Sequence, residues 1–301
     1  MVVCTIERPA ALDRCLEALH RQTRPPDEVL VVDNTPGDAL TRELAERWEA
    51  RYLTEPRRGL SRARNRGALA AGSAVVAFTD DDAVPEAGWV QGLAGEFVDE
   101  RLGAAAGRVL PLELRTEAQR LFDAAGGVTR NAGRRLGVDR SSRYWFEMAH
   151  FGGIGAGGNM AFRRELFEAG LRFDESLGRG APLGGGEEHF AFFQVLARGS
   201  RVAYCPTAIV RHAYPATLRQ LRDEHLFTVS CSAAYIGKLL AELPDHRRET
   251  LRFLMAWLSG RPLGAWAISA PPARRFAPAL LTGAALARGF VRYGAFRLTG
   301  R

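Results

Sequence analysis

The chain has 301 residues, 47% hydrophobic and 25% charged, which is ample for one large α/β core or two packed halves and too apolar for a disordered chain. Its net charge is +7, but Lys238 is the only lysine among 41 basic residues, an arginine bias expected of GC-rich codon usage rather than of a polyanion site. No basic stretch is interleaved with aromatic residues in the manner of single-strand binders, so nucleic acid is not expected as a partner.

The first hundred residues alternate strand and helix patterns. Met1 to Thr5 is a short apolar run, and Leu12, Cys15, Leu16 and Leu19 then recur at helical spacing. Glu28 to Asp33 reads as a strand closed by a turn at Asn34-Thr35-Pro36-Gly37. A helix is predicted from Ala39 to Ala50, a strand at Arg51 to Thr54, a helix from Leu60 to Ala71, and a buried strand from Ala74 to Thr79 that runs into Asp80-Asp81-Asp82. This alternation predicts a parallel, doubly wound sheet, whose ligands bind beyond the carboxyl ends of the strands, where Asp33 and Asp80 to Asp82 fall.

From Leu112 to His150 no clear period appears, and the prediction is a helix near Glu117 to Ala125 followed by a mobile loop. A glycine-rich stretch, Gly152 to Gly158, leads into a strand at Asn159 to Phe162, and a second glycine loop, Gly178 to Gly186, ends at a helix opening with Glu187-Glu188. Arg201 to Cys205 is a strand, and His212 follows another short apolar segment. The pattern is helical from Tyr214 to about Leu243, and the tail from Pro262 is apolar and basic. Cys4, Cys15, Cys205 and Cys231 form no CxxC pair, and neither a leader nor an apolar run of the roughly 20 residues needed to span a bilayer is evident, so reduced thiols and a cytoplasmic location are expected.

Three adjacent aspartates at the end of a buried strand repel one another unless something neutralises them. A hard divalent cation does so, and in an extended backbone Asp80 and Asp82 would face one side to share it. The alternative is a helix N-terminus near Pro85 with Asp81 or Asp82 as its cap. Glu187 and Glu188 open a helix, where the dipole alone would favour carboxylates; a general base is the functional reading, carried by a loop able to close. His212 is either an ordinary satisfied histidine or a ligand for metal or phosphate. Gly153, Gly155 and Gly158 spell GxGxxG without the strand such a dinucleotide site requires, and no Walker lysine, GxSxG or HExxH pattern occurs.

Further landmarks accompany these residues. They are Thr5 with Arg8-Pro9, Gln22-Thr23 with Pro25-Pro26-Asp27-Glu28, Val31-Val32-Asp33-Asn34, and Gly59-Leu60-Ser61-Arg62-Ala63-Arg64-Asn65. Phe78 to Asp82, Gly157-Gly158-Asn159-Met160, Phe173-Asp174-Glu175, Gly186-Glu187-Glu188 and Val210-Arg211-His212 complete the series. In this order, over about residues 1 to 215, the chain resembles the inverting family-2 glycosyltransferases. The resemblance implies a GT-A-type α/β fold: a doubly wound, mostly parallel sheet with helices on both faces and a helical C-terminal extension. It divides the chain into a nucleotide-sugar-binding half (1–105), an acceptor-binding and catalytic half (106–215) and the extension (216–301).

The same resemblance implies roles. Asp33 binds the nucleoside base with Thr5 and Arg8 beside it, and Arg64 faces the nucleotide or diphosphate. Asp80, Asp81 and Asp82 match the DxD motif, with Asp82 the foremost metal ligand, His212 a further one, and Mg²⁺ or Mn²⁺ the cofactor. Glu188 falls where the family carries an aspartate base; the side chain here is a methylene longer, which leaves Glu187 as the alternative base. The partners implied are a nucleotide-sugar donor and a glycan, lipid-linked or small-molecule acceptor. Two rivals are a nucleotidyltransferase, disfavoured because Glu7-Arg8-Pro9-Ala10 is no glycine-rich loop, and a non-catalytic nucleotide-sugar-binding protein. In the tail, Phe276, Leu280, Ala284, Ala287 and Val291 fall near helical spacing with Arg288 and Arg292 nearby, a pattern that fits peripheral contact with an anionic membrane or a helix packed on the domain.

Overall fold

A computed structural model describes residues 1–35, 39–129, 133–150, 153–259 and 276–300. The turn expected at Asn34 to Gly37, the start of the Gly152 stretch and the tail's first residues from Pro262 lie partly or wholly outside the described residues. The first half follows the predicted alternation: β1 (Val2–Thr5), α1 (Pro9–His20), β2 (Leu30–Asp33), α2 (Ala39–Arg47), β3 (Arg51–Thr54), α3 (Leu60–Ala70) and β4 (Val75–Asp80). These strands pair in parallel in the order β3-β2-β1-β4. Their apolar runs do not alternate with polar residues because both faces are covered. Val2, Leu30, Val32 and Phe78 enter one core cluster, while Val3, Val31 and Ala77 enter the other with Leu12, Cys15, Leu16 and Leu19 of α1.

Beyond β4 come β5 (Ala83–Pro85), α4 (Trp89–Glu96), β6 (Leu102–Pro111), α5 (Glu117–Ala124), β7 (Leu136–Val138) and α6 (Trp145–His150). They are followed by β8 (Asn159–Arg163), α7 (Arg164–Glu168), α8 (Glu187–Ala197) and β9 (Arg201–His212). The sheet runs β3-β2-β1-β4-β8-β6-β9-β5, with β7 also on β9. Strand β8 is antiparallel to β4 and β6, β6 is parallel to β9, and β5 and β7 pair antiparallel with β9. The doubly wound half thus continues into a mixed half.

Strand β6 is illegible by composition, since Gly103 to Gly107 is all glycine and alanine. The neighbours require it: a Cβ on Gly107 would lie 2.2 Å from the Ala208 carbonyl and 2.5 Å from the Asn159 amide. Helix α5 forms where predicted and is closed by a capping box between Thr116 and Gln119. The loop expected after it contains β7 and α6, which at three and six residues are too short to impose a period.

Among the described residues the extension contains α9 (Leu218–Glu242), a 3-10 turn (Pro244–His246), α10 (Arg247–Ser259) and α11 (Ala279–Thr299). Helices α9 and α11 cross closely because Gly289 has no side chain; a Cβ there would meet the Ser230 carbonyl at 2.2 Å. Lys238 on α9 is buried, and its ammonium joins Asp174 at 2.9 Å and Glu242 at 2.7 Å, tying the extension to the Phe173-Asp174-Glu175 segment. Helix α11 packs through Thr282, Ala285, Gly289 and Tyr293, so of the apolar residues singled out in the tail those on the helix face the other way (Leu280 is 83% and Val291 71% exposed), while Phe276, ahead of it, packs its ring against His225. All four cysteines are free thiols, and among the described residues no single helix is long and apolar enough to cross a membrane.

Candidate active site

The carboxyl ends of β1, β2 and β4 lie side by side, with Thr5 opposite Asp33 and Cys4 opposite Asp80 in register. Asp33 is buried and accepts hydrogen bonds from the Thr35 amide at 2.8 Å and the Tyr52 hydroxyl at 2.7 Å. Burial, with Asp33 adding to it, pushes the Tyr52 phenol up to about 12, so it stays a donor. Next along the chain, the Asn34 amide donates to the carbonyls of Glu55 (2.7 Å) and Arg57 (3.0 Å) and accepts from the Gly59 amide (2.8 Å). One side chain therefore fixes the loop that launches α3, where Gly59 takes a φ of 141°.

Asp80 ends β4, and Asp81 and Asp82 form a tight turn into β5 rather than an extended run. Because β5 intervenes and α4 starts after Gly88, the aspartates cap no helix. The turn still brings Asp80 and Asp82 together, and His212 arrives beside them from the end of β9, where it pairs with Ala83. One ligand atom each from Asp80, Asp82 and His212 lies within 4.8 Å of the others. The His212 Nε2 is 3.0 Å from the Asp82 carboxylate, and its Nδ1 is 2.9 Å from the Ala213 carbonyl. Burial opposes charging this ring, but Asp82 outweighs it and lifts the imidazole to about 9.

Thr5 and Arg8, expected beside Asp33, turn towards the acidic turn. The Thr5 hydroxyl donates to Asp81 at 2.7 Å, and Arg8 donates to Asp82 at 2.7 Å and to Asp81 at 3.4 Å. Burial raises the Asp81 carboxyl to about 6 against the pull of the Thr5 hydroxyl. Burial acts on Asp82 in the same sense, but His212 and Arg8 hold it below the usual carboxylate range.

The donor set fits a hard divalent cation: two carboxylates and an imidazole converge. A second feature agrees. A Cβ on Gly158 would sit 2.5 Å from Asp80 Oδ2, so glycine keeps that oxygen clear.

Arg64 links this cluster to the acidic pair on α8. Its guanidinium is buried and donates to Glu187 at 2.6 Å, to Asp80 at 3.2 Å and to the Gly157 carbonyl at 3.1 Å. Glu187 is buried, and burial pushes its carboxyl up to about 7 with the Glu188 charge adding and Arg64 opposing. Glu188 is partly exposed, 3.7 Å from His189; burial opposes its ionisation, but His189 and Arg64 hold it below the usual range. The pair starts α8 after Gly186, whose φ of 95° suits glycine, so the helix dipole also favours the Glu188 anion.

Sequence reasoning missed Tyr52 on Asp33, the Asn34 staple and the contact between Arg64 and Glu187, whose positions are 123 apart in the chain. It also missed the role of Asn159, which accepts from the Trp89 indole at 2.7 Å and donates to the carbonyls of Arg108 and Ala208, locking the sheet's mixed half behind the site. A strand-alternation argument would have put Tyr52 near Asp33; no sequence signal pairs Arg64 with Glu187.

A parallel β-α half carrying acidic residues at its strand ends, extended by a mixed half that delivers a histidine from β9 and a carboxylate pair from α8, defines the GT-A class of fold. The family model "Glycosyl transferase family 2" matches residues 1–171, and the chain belongs to that family. Among curated proteins, glycosyltransferase AglE of Haloferax volcanii is 34% identical over 88 residues, which is 27% of this chain and 29% of AglE. The match thus spans less than a third of that relative's length. Mannosyltransferase PcManGT from Pyrobaculum calidifontis, solved with GDP-Man and Mn²⁺, superposes over 100% of this chain and 75% of its own at 18% identity and a TM-score of 0.58. Glucosyl-3-phosphoglycerate synthase from Mycobacterium tuberculosis, solved with Mn²⁺, UDP and glucosyl-3-phosphoglycerate, superposes over 80% of this chain and 77% of its own at 18% identity and a TM-score of 0.51.

Proposed function

We propose that this protein transfers a sugar, with inversion, from a nucleotide-sugar donor to an acceptor hydroxyl, using Mg²⁺ or Mn²⁺ held by Asp80, Asp82 and His212. The observation that carries the proposal is the convergence of those three side chains within 4.8 Å at the strand ends, joined through Arg64 to the acidic pair of α8. The Mn²⁺ and nucleotide or nucleotide-sugar present in the structures of the mannosyltransferase and the synthase support it. In this reading, residues 1–105 hold the donor, 106–215 supply the acceptor site and base, and 216–301 attach a cytoplasmic enzyme peripherally to a membrane. The acceptor is a glycan, a lipid-linked molecule or a small molecule.

Asp33 takes the base of the nucleotide, its carboxylate already oriented by Thr35 and Tyr52. Arg8, half-exposed above Asp81 and Asp82, faces the phosphates together with Thr5. When bound, the cation supplies Lewis-acid neutralisation of the diphosphate leaving group. Glu188, ionised and partly open to solvent, takes the proton of the acceptor hydroxyl as its oxygen bonds to the anomeric carbon. The bond from that carbon to the diphosphate oxygen breaks on the opposite face, so the configuration inverts without a covalent intermediate. Glu187, fixed by Arg64, holds the wall of the site beside it.

The test is turnover of a panel of UDP- and GDP-sugars, with Mn²⁺ and then with chelator, read as nucleoside diphosphate release. Release with metal and none with chelator is expected. Glu188→Gln should keep nucleotide affinity while turnover falls by roughly 10²–10⁴-fold. Normal turnover in that variant with a dead Glu187→Gln would move the base to Glu187. Tight nucleotide-sugar binding with no turnover of any donor would favour the non-catalytic reading.

A further inference from the structure

The charge of this chain is not spread evenly. Residues 247–301 contain ten arginines and a single acidic residue, Glu249, a net +9; since the whole chain is +7, residues 1–246 are net −2. Helix α11 has no acidic residue and carries Arg288, Arg292 and Arg297. Its inner face, centred on Thr282, Ala285, Gly289 and Tyr293, is committed to packing on α9.

Its outer face repeats at helical spacing: Leu280, Ala284, Ala287, Val291 and Leu298 are all exposed, Leu298 by 89%. At 1.5 Å per residue this stripe is roughly 27 Å long. Arg288 borders it, four residues after Ala284 and three before Val291. Helix α10 repeats the arrangement: Leu251, Met255 and Leu258 are exposed one turn apart, and exposed Arg248 heads the same face. Among the described residues, neither Arg248 nor Arg288 has a carboxylate partner.

Apolar stripes bordered by unpaired arginine, on helices whose opposite faces are packed, suit a surface that is greasy below and anionic above. We infer that the outer faces of α10 and α11 dock on an anionic phospholipid bilayer, with the aliphatic side chains in the acyl boundary and Arg248 and Arg288 among the headgroup phosphates. The inference rests on the peripheral attachment proposed above and assigns it to these two faces. Nucleic acid fits less well, because the exposed side chains are aliphatic and offer almost no planar group for bases to stack on. With α11's other face fixed on α9, the helix lies along the bilayer and does not cross it.

The experiment is co-sedimentation of the full chain with vesicles of phosphatidylcholine alone and of phosphatidylcholine with phosphatidylglycerol. Binding to the mixed vesicles is expected to be at least about tenfold tighter and to weaken with salt. Arg248→Gln and Arg288→Gln should each weaken it by roughly fivefold, and Val291→Asp by about tenfold or more. Mn²⁺-dependent affinity for UDP or GDP, measured in the same variants, should stay at the wild-type value. Vesicle binding that ignores these substitutions overturns the assignment of the faces and leaves attachment standing. No binding to either vesicle overturns both, and intact nucleotide affinity then separates that failure from failure of the transferase reading. A dimer dispersed by Val291→Asp, or duplex DNA retained with the same sensitivity to Arg288→Gln, would also overturn it by naming a different occupant.

Discussion

A guanidinium with 2% of its residue exposed keeps its charge, so its partners decide whether it stabilises or strains the fold. Arg64 has two carboxylates and a carbonyl, and each loses its counter-charge or donor if the guanidinium is removed. Arg64→Ala should therefore destabilise the protein by about 3–5 kcal/mol in urea unfolding. Arg64→Lys should recover only part of this, because one ammonium cannot serve Asp80 and Glu187 with the geometry of a fork. Asp33 makes a different demand, since its oxygens are oriented by Thr35 and Tyr52 but remain acceptors. Asp33→Ala should weaken nucleoside and nucleoside diphosphate binding equally, by ~1.5–3 kcal/mol in calorimetry. A loss confined to the diphosphate would place Asp33 on the phosphates. The candidate site residues were legible by type, since crowded aspartates and paired glutamates are conspicuous in any chain. Their partnerships were not, because Thr5 with Asp81 and Arg64 with Glu187 depend on strand order across 76 and 123 positions.

Legibility at the level of elements follows from what buries each one. The parallel strands β1, β2 and β4 announce themselves because both faces are covered and Val, Leu, Ala and Phe fill them. Strand β6 is hidden because its glycines and alanines answer to the close approach of β8 and β9, a tertiary requirement absent from local propensity. Helix α11 misleads in the other direction: its most regular apolar stripe faces outwards, and a glycine and a tyrosine mark the side that packs. The segment before β8 holds the sharpest test. Gly158→Ala requires no forbidden backbone angle, yet its methyl would press on Asp80 Oδ2. Mn²⁺-dependent nucleotide affinity should fall by roughly 10–100-fold with little change in thermal stability. Unchanged affinity would remove Asp80 from the metal site.

For the whole molecule, a site assembled from β4, β5 and β9 makes ligand binding and global stability one equilibrium. Saturating nucleoside diphosphate with Mn²⁺ should raise the unfolding free energy by about 2.7 kcal/mol at a hundredfold excess over Kd, and chelator should abolish the gain. A thermal shift that persists in chelator would mean that binding does not require the cation. Lys238 offers a different kind of readout. It is the chain's only lysine, and it is buried against Asp174 and Glu242 where the extension meets the sheet domain. Amine-directed reagents therefore find a single ε-amino target in the folded protein, and they reach it only when α9 swings away from the 173–175 segment. The rate of acylation at Lys238, followed by mass spectrometry, is a built-in clock for how often the extension lets go.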